Sequence, residues 1–144
     1  MKGQVDHKGR PTIELPLPGK AEPLLAHIDT GCTFSLVMDQ AVAAELGVTA
    51  LPRVSGNPRL RQQVHLADGS AIEIPLGRLS VIMDGVLRLV TVGITPNSAI
   101  PGDGPNPDKE PKALLGCKLL AGKSLNINFC NGRIDIGSCL TPPV

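Results

Sequence analysis

Apolar residues along this chain fall in short runs, each cut by Gly, Pro or polar residues at turn spacing. Arg10–Gly19 (RPTIELPLPG) and Ala21–Ile28 (AEPLLAHI) read as two strands joined at Pro18-Gly19-Lys20. Asp29-Thr30-Gly31 then breaks the apolar pattern, and Thr33–Met38 (TFSLVM) resumes it as a further strand. Asp39 stands where an N-cap belongs, ahead of the helix formers QAVAAEL, and Gly47 stands where a helix ends. In QQVHLADGSAIEIPLG, Val64 and Leu66 alternate with polar residues on one arm, and Ile72, Ile74 and Leu76 do so on the other. This is a hairpin signature turning at Ala67-Asp68-Gly69-Ser70. A second hairpin is expected to turn at Asp84-Gly85.

The Pro/Gly-rich stretch Thr95–Pro111 is too long and polar for a routine connection. Beyond it lie the apolar triplet Ala113-Leu114-Leu115, then Gly116, a short helical piece, a strand at Leu125–Phe129, a turn at Asn131-Gly132 and a last strand (RIDIG). The pattern predicts one mostly β domain over residues 1–144, with roughly eight or nine strands and one or two short helices, and no βαβ alternation. No internal repeat or linker divides it.

Composition agrees. Hydrophobic residues are 42% and charged residues 19% of 144, which is globular, and the aromatics are Phe34 and Phe129 alone. A net charge of +1 argues against a nucleic-acid partner, and Arg53, Arg59 and Arg61 read as a solvated loop. The N-terminus has no apolar segment of signal-peptide type, and no run reaches membrane-spanning length, so a cytoplasmic protein with no membrane partner is expected. The four cysteines, Cys32, Cys117, Cys130 and Cys139, form no CxxC pair. They are expected to be reduced thiols rather than metal ligands or disulfides. Gly116–Ser124 (GCKLLAGKS) looks like a phosphate-binding loop but has one residue too many before Gly-Lys-Ser.

The candidate chemistry lies at Asp29. Asp-Thr-Gly alone is a common turn. Here it sits between two apolar strands, with a glycine-tipped hairpin downstream and Leu114-Leu115-Gly116 opening a short helix near the C-terminus. That ordered set, over about Gly3 to Ile136, resembles the retropepsin-like aspartic proteases, most of all their small stand-alone bacterial members. The pieces that carry the likeness are GRPTIELPL, IDTGCTFSLVM with AVAAELGV, VHLADGS, and LLGCKLLAGKSLNINF.

The resemblance implies a closed, barrel-like acid-protease fold and a homodimer acting on a peptide or protein substrate without cofactor or metal. The two copies of Asp29 would be the catalytic dyad. Thr30 would bond across the dimer, Gly31 would let backbone approach the carboxylates, and Leu114, Leu115 and Gly116 would brace the loop from behind. Leu66, Ala67, Asp68, Gly69 and Ser70 would form a flap over the substrate. Asp68 alternatively does no more than shape an Asx turn. Phe34, Leu66, Ile72 and Ile100 are candidate pocket walls. Cys32 departs from the family, which often has a small or aromatic residue there. It reads as a small buried apolar residue or an oxidation-sensitive neighbour of the site. His27, two residues before Asp29 and on the same strand face, reads as a structural histidine or as one that tunes the dyad. Two other readings stand beside the protease: a weakly catalytic module of the same fold that binds peptides or dimerises, and an ordinary β domain with a chance Asp-Thr-Gly turn.

Overall fold

The structure, a computed structural model, describes residues 1–51, 61–65, 68–96 and 110–139. The strands are β1 (Lys2–Val5), β2 (Pro11–Leu15), β3 (Leu24–Asp29), β4 (Leu36–Asp39), β5 (Arg61–His65), β6 (Ala71–Met83), β7 (Val86–Thr95), β8 (Ala113–Gly116), β9 (Lys123–Asn128) and β10 (Arg133–Ser138). Two short helices, α1 (Gln40–Leu46) and α2 (Cys117–Leu120), complete the described elements.

The period-2 pattern is realised directly. In β3, Leu24, Ala26 and Ile28 are buried, while Leu25, His27 and Asp29 share the half-buried opposite face. Helix α1 is capped at both ends as its sequence requires. The Asp39 carboxylate accepts a 2.8 Å bond from the Val42 amide, and Gly47 ends the helix in the left-handed region at φ 73°. The second hairpin turns at Asp84 (φ 51°) and Gly85 (φ 74°), two consecutive positive values that suit the twist of the strands it joins.

The strands run β5-β6-β7-β4-β8-β3-β2-β1-β10-β9 across the sheet. Among the described residues β5 pairs with β6 and β9 with β10, and the two end strands do not meet. The sheet is therefore open, which corrects the closed barrel expected from the sequence. The physical reason lies in the ends. Arg61, Gln62, Gln63 and His65 of β5, and Ser124, Asn126 and Asn128 of β9, are exposed and polar, while the apolar Val64 of β5 and Leu125 and Ile127 of β9 already pack into two separate clusters and do not draw the end strands together.

Two features of the sheet had no local signal. Strand β1 holds a single apolar residue, Val5, and forms because β2 and β10 offer it a backbone ladder on both edges. Strand β8 runs parallel to β3 and antiparallel to β4, and β4 runs parallel to β7. These pairings join segments far apart in the chain, which no short window of sequence reports.

The main core gathers Ile13, Leu15, Ala26, Leu36, Met38 and Met83, each at most 1% exposed, with other apolar residues from most of the strands. A smaller cluster of Phe34, Val37, Ile74 and Leu76 joins β4 to the β5–β6 hairpin.

At the entry to β8 sits a charged clamp. Arg10 bonds Asp6 at 2.7 Å and Glu110 at 2.5 Å, and Lys8 lies 2.9 Å from the other Glu110 oxygen, so the β1–β2 turn holds the residue two places before Lys112. The Glu110 side chain is only 4% exposed. Bonds from Lys8 and then Arg10 hold its carboxyl below its ordinary value of 4.5. Burial pushes Asp6 up, but the bonds from Arg10 and the Lys8 amide together outweigh it, so its pKa is also lowered. A carboxylate depressed in the folded state stabilises the fold above its unfolded pKa, and that contribution is lost as pH falls through the folded value. Thermal unfolding followed from pH 7 down through pH 4.5 and below should show the decline. The variant Glu110→Gln should melt lower at pH 7 and lose less on acidification. Parallel curves for the two proteins would remove the clamp from the account.

Candidate active site

Asp29 is the last residue of β3, and Gly116, the last of β8, is its parallel partner. The chain from Asp29 to Leu36 must leave β3 and return as β4 on the far side of β8, so the loop passes over the end of β8. Backbone bonds tie it there. Gly116 donates to the Ser35 carbonyl at 3.1 Å, and Cys117 donates to the Cys32 carbonyl at 2.8 Å. The approach is so close that a Cβ on Gly116 would lie 2.2 Å from the Phe34 carbonyl oxygen and 2.6 Å from that of Cys32. Glycine is demanded here by contact rather than by an unusual φ.

Within the loop, Cys32 donates to the Asp29 carbonyl at 3.1 Å and Gly31 donates to the Asp29 carboxylate at 2.9 Å. Asp29 is half-buried, and Thr30 and Gly31 are exposed. The carboxylate thus stands at the rim of the sheet, oriented by its own turn, with buried Ile28 and Leu115 beneath. Thr30 directs its carbonyl to the Cys117 thiol, which donates at 2.8 Å. Sequence reasoning did not single out Cys117, nor the Cys32, Phe34 and Ser35 carbonyls as the contacts that seat the loop. The one available sign was a polar side chain directly after the glycine.

The neighbours expected to tune the site are adjacent to it. His27 lies two residues back on the same face of β3, opposite Thr12 of β2. Burial lowers the pKa of its imidazole below 6.5, the Asp29 charge opposes that, and Arg10 adds to it, so His27 is neutral at pH 7. The Cys32 thiol is half-buried. Burial pushes its pKa up from 9.0 against a bond from the Phe34 amide, and the charge of Asp29 adds to the rise. Cys32 is therefore a protonated thiol at pH 7.

The β5–β6 hairpin reaches this region through the smaller apolar cluster, in which Cys32, Val64, Ile72 and Leu114 pack against Phe34, Val37, Ile74 and Leu76. Phe34 and Ile72, expected as pocket walls, are thus brought together. Leu114 faces this cluster while Leu115 faces the main core. At the hairpin turn, Asp68 accepts bonds from the Ser70 amide at 2.9 Å and hydroxyl at 2.5 Å, with Gly69 at φ 84°, which is the Asx-type turn. Leu66, Ala67 and Ile100 lie outside the described residues, as does most of the 95–111 stretch.

Among the described residues no group of three or more His, Cys, Asp or Glu is placed to hold a metal ion, and no helix is long and apolar enough to cross a membrane. A surface hollow of about 580 Å³ lies between the turn before β3 and α1, lined by Leu17, Lys20, Glu22, Glu45 and Lys112, and Asp29 has no part in it.

No family model and no curated protein sequence matches the chain. Among solved structures, the chain is similar to a retropepsin-like aspartic protease from Rickettsia conorii. The match has a TM-score of 0.50 and 14% identity, covering 96% of this chain and 92% of that one. At that identity the likeness speaks for the fold, a mostly β arrangement of retropepsin-like type.

Gly116→Ala should destabilise the protein by about 1–3 kcal/mol or more, since the added methyl meets backbone that cannot rotate away. Urea unfolding measures it. A midpoint equal to that of the unchanged protein would show that the loop is free to shift off β8.

Proposed function

We propose that this chain is an aspartic endopeptidase that works as a homodimer, with the two copies of Asp29 side by side on a two-fold axis. One observation carries the reading. An ionisable side chain stands at the exposed rim of an apolar sheet, on a loop that five backbone and side-chain hydrogen bonds hold in place. A turn that served only the backbone has no need of such bracing. The retropepsin-like neighbour supports the same fold. A single chain offers half a site, and the exposed Thr30 and Gly31 are the surface through which a second copy would complete it.

In that dimer, two carboxylates in contact cannot both ionise, so the pair shares one proton and titrates as a unit. The ionised carboxylate takes a proton from a bound water as the water oxygen attacks the peptide carbonyl carbon. The protonated carboxyl gives its proton to the carbonyl oxygen, leaving a neutral tetrahedral diol. Collapse of the diol breaks the C–N bond, with one proton delivered to the leaving nitrogen and the other returned to the dyad. Burial lowers the His27 pKa against the pull of Asp29, so the site opposes a positive charge beside the dyad. The β5–β6 hairpin, joined to the loop through Cys32, Phe34 and Ile72, would be the flap that covers an extended peptide and excludes water. Asp68, Gly69 and Ser70 then shape its turn, and Phe34 and Ile72 wall the cleft.

Incubation with a diverse peptide mixture across about pH 3.5–7, where a shared-proton dyad operates, should yield cleavage that fades toward neutral pH. Asp29→Asn should abolish it, and sedimentation should show a dimer for both proteins. A folded dimer that cleaves nothing at any pH would instead indicate a module that binds peptides or dimerises. A stable monomer would leave Asp29 a turn residue.

A further inference from the structure

Two of the four cysteines converge on the Asp29 loop from different parts of the chain. Cys32 follows the Asp-Thr-Gly turn, and Cys117 opens α2, yet their backbones are joined by the 2.8 Å bond from the Cys117 amide to the Cys32 carbonyl. A single bond of that length holds the two Cα atoms no more than about 6.7 Å apart, within the span that a disulfide allows. Both sulfurs lie against the Asp29 loop and the end of β8, close enough that Cys117 contributes to the electrostatics of Cys32. The Cys117 thiol bonds the Thr30 carbonyl at 2.8 Å, and the Cys32 sulfur lies 3.0 Å from where a Gly116 Cβ would be. Because residue 116 is glycine, no side chain stands in that space. Cys117 is exposed and Cys32 half-buried, so one thiol is open to a reagent and the other waits behind it.

We infer that Cys32 and Cys117 are a thiol modification site, which a small-molecule disulfide of the glutathione type oxidises to an intramolecular disulfide across the base of the Asp29 loop. The thiolate of Cys117 attacks glutathione disulfide, forming a mixed disulfide and releasing one glutathione thiolate. The thiolate of Cys32 then attacks the Cys117 sulfur, and the second glutathione leaves. Two protein thiols are oxidised, one glutathione disulfide is reduced to two thiols, and the two protons pass to solvent or to the leaving thiolates. The buried, protonated Cys32 thiol is the slower to react, which leaves the exposed Cys117 as the first to attack.

The consequence for Asp29 rests on the protease reading. The Cys117 thiol proton is consumed, so the Thr30 carbonyl loses its donor, and Cys32 is drawn toward α2 with Asp29-Thr30-Gly31 directly attached. Displacement of a catalytic group by 1 Å costs about 10²-fold in rate. The disulfide therefore switches the site off, and reduction restores it.

The tryptic map is unambiguous, because Cys32, Cys117, Cys130 and Cys139 fall in four separate peptides, two of them Ala21–Arg53 and Ala113–Lys118. The native full chain would be treated with excess glutathione disulfide, digested without reduction and read by mass spectrometry. The expected product is Ala21–Arg53 linked to Ala113–Lys118. Only glutathione adducts, or scrambled links, would overturn the inference. Cys117→Ser keeps a donor for Thr30 and should give no link. Peptide cleavage is assayed on the same samples and should fall by about 10²-fold on oxidation and return with dithiothreitol. A link that forms without altering an existing activity would overturn the switch. A link in a protein with no activity to begin with would sustain the thiol site while the protease reading failed.

Discussion

Everything near Asp29 depends on one close passage, the crossing of the Asp29–Leu36 loop over the end of β8. Among the described residues, strand β8 is the only neighbour that β3 and β4 share, parallel to one and antiparallel to the other. The loop between them has no secondary structure of its own, and its shape is imposed by the amides of Gly116 and Cys117 reaching the carbonyls of Ser35 and Cys32. These bonds form only because nothing projects from residue 116, where any Cβ would meet carbonyl oxygen at 2.2 Å. One missing side chain thus decides whether the carboxylate is held or adrift.

Around that crossing the fold supplies two supports of different kinds. Apolar burial acts from below and from the side. Leu115 belongs to the main core and Leu114 to the cluster that carries the β5–β6 hairpin, so adjacent residues of β8 tie the loop to both. Charge acts at the other end of β8. Glu110, nearly buried, is fastened to the β1–β2 turn by Arg10 and Lys8. A buried carboxylate with two cations costs desolvation that its partners offset, so this contact serves placement more than gross stability. It sets where β8 begins, as Gly116 sets where it ends. The same arginine lies near enough to His27 to help lower its pKa, which links the clamp to the electrostatics of the site.

Much of this was legible in the chain. The Asp39 and Gly47 caps, both hairpins with their Asp-Gly turns, the alternation through β3 and the Asx turn at Asp68 are local features with local causes, and each stands as read. The expectation of a closed barrel failed because closure depends on which strands end the sheet, and no short window reports that. Strand β1 escaped notice because its stability comes from two neighbouring ladders and not from its own side chains. Cys117 was counted as one thiol among four, because its bond to the Thr30 carbonyl links residues 87 positions apart.

The sequence by itself determined the inventory: a mostly β domain, its turns and caps, and a carboxylate set between apolar strands with a glycine far downstream. These follow from period, turn chemistry and capping, which act over a few residues. Tertiary structure alone decided that Asp29 lies opposite Gly116, that the loop rides on β8, that Glu110 is clamped and that Cys32 and Cys117 meet. Each is a contact between distant segments, and its free energy exists only once the intervening chain has been ordered and its loop-closure entropy overcome.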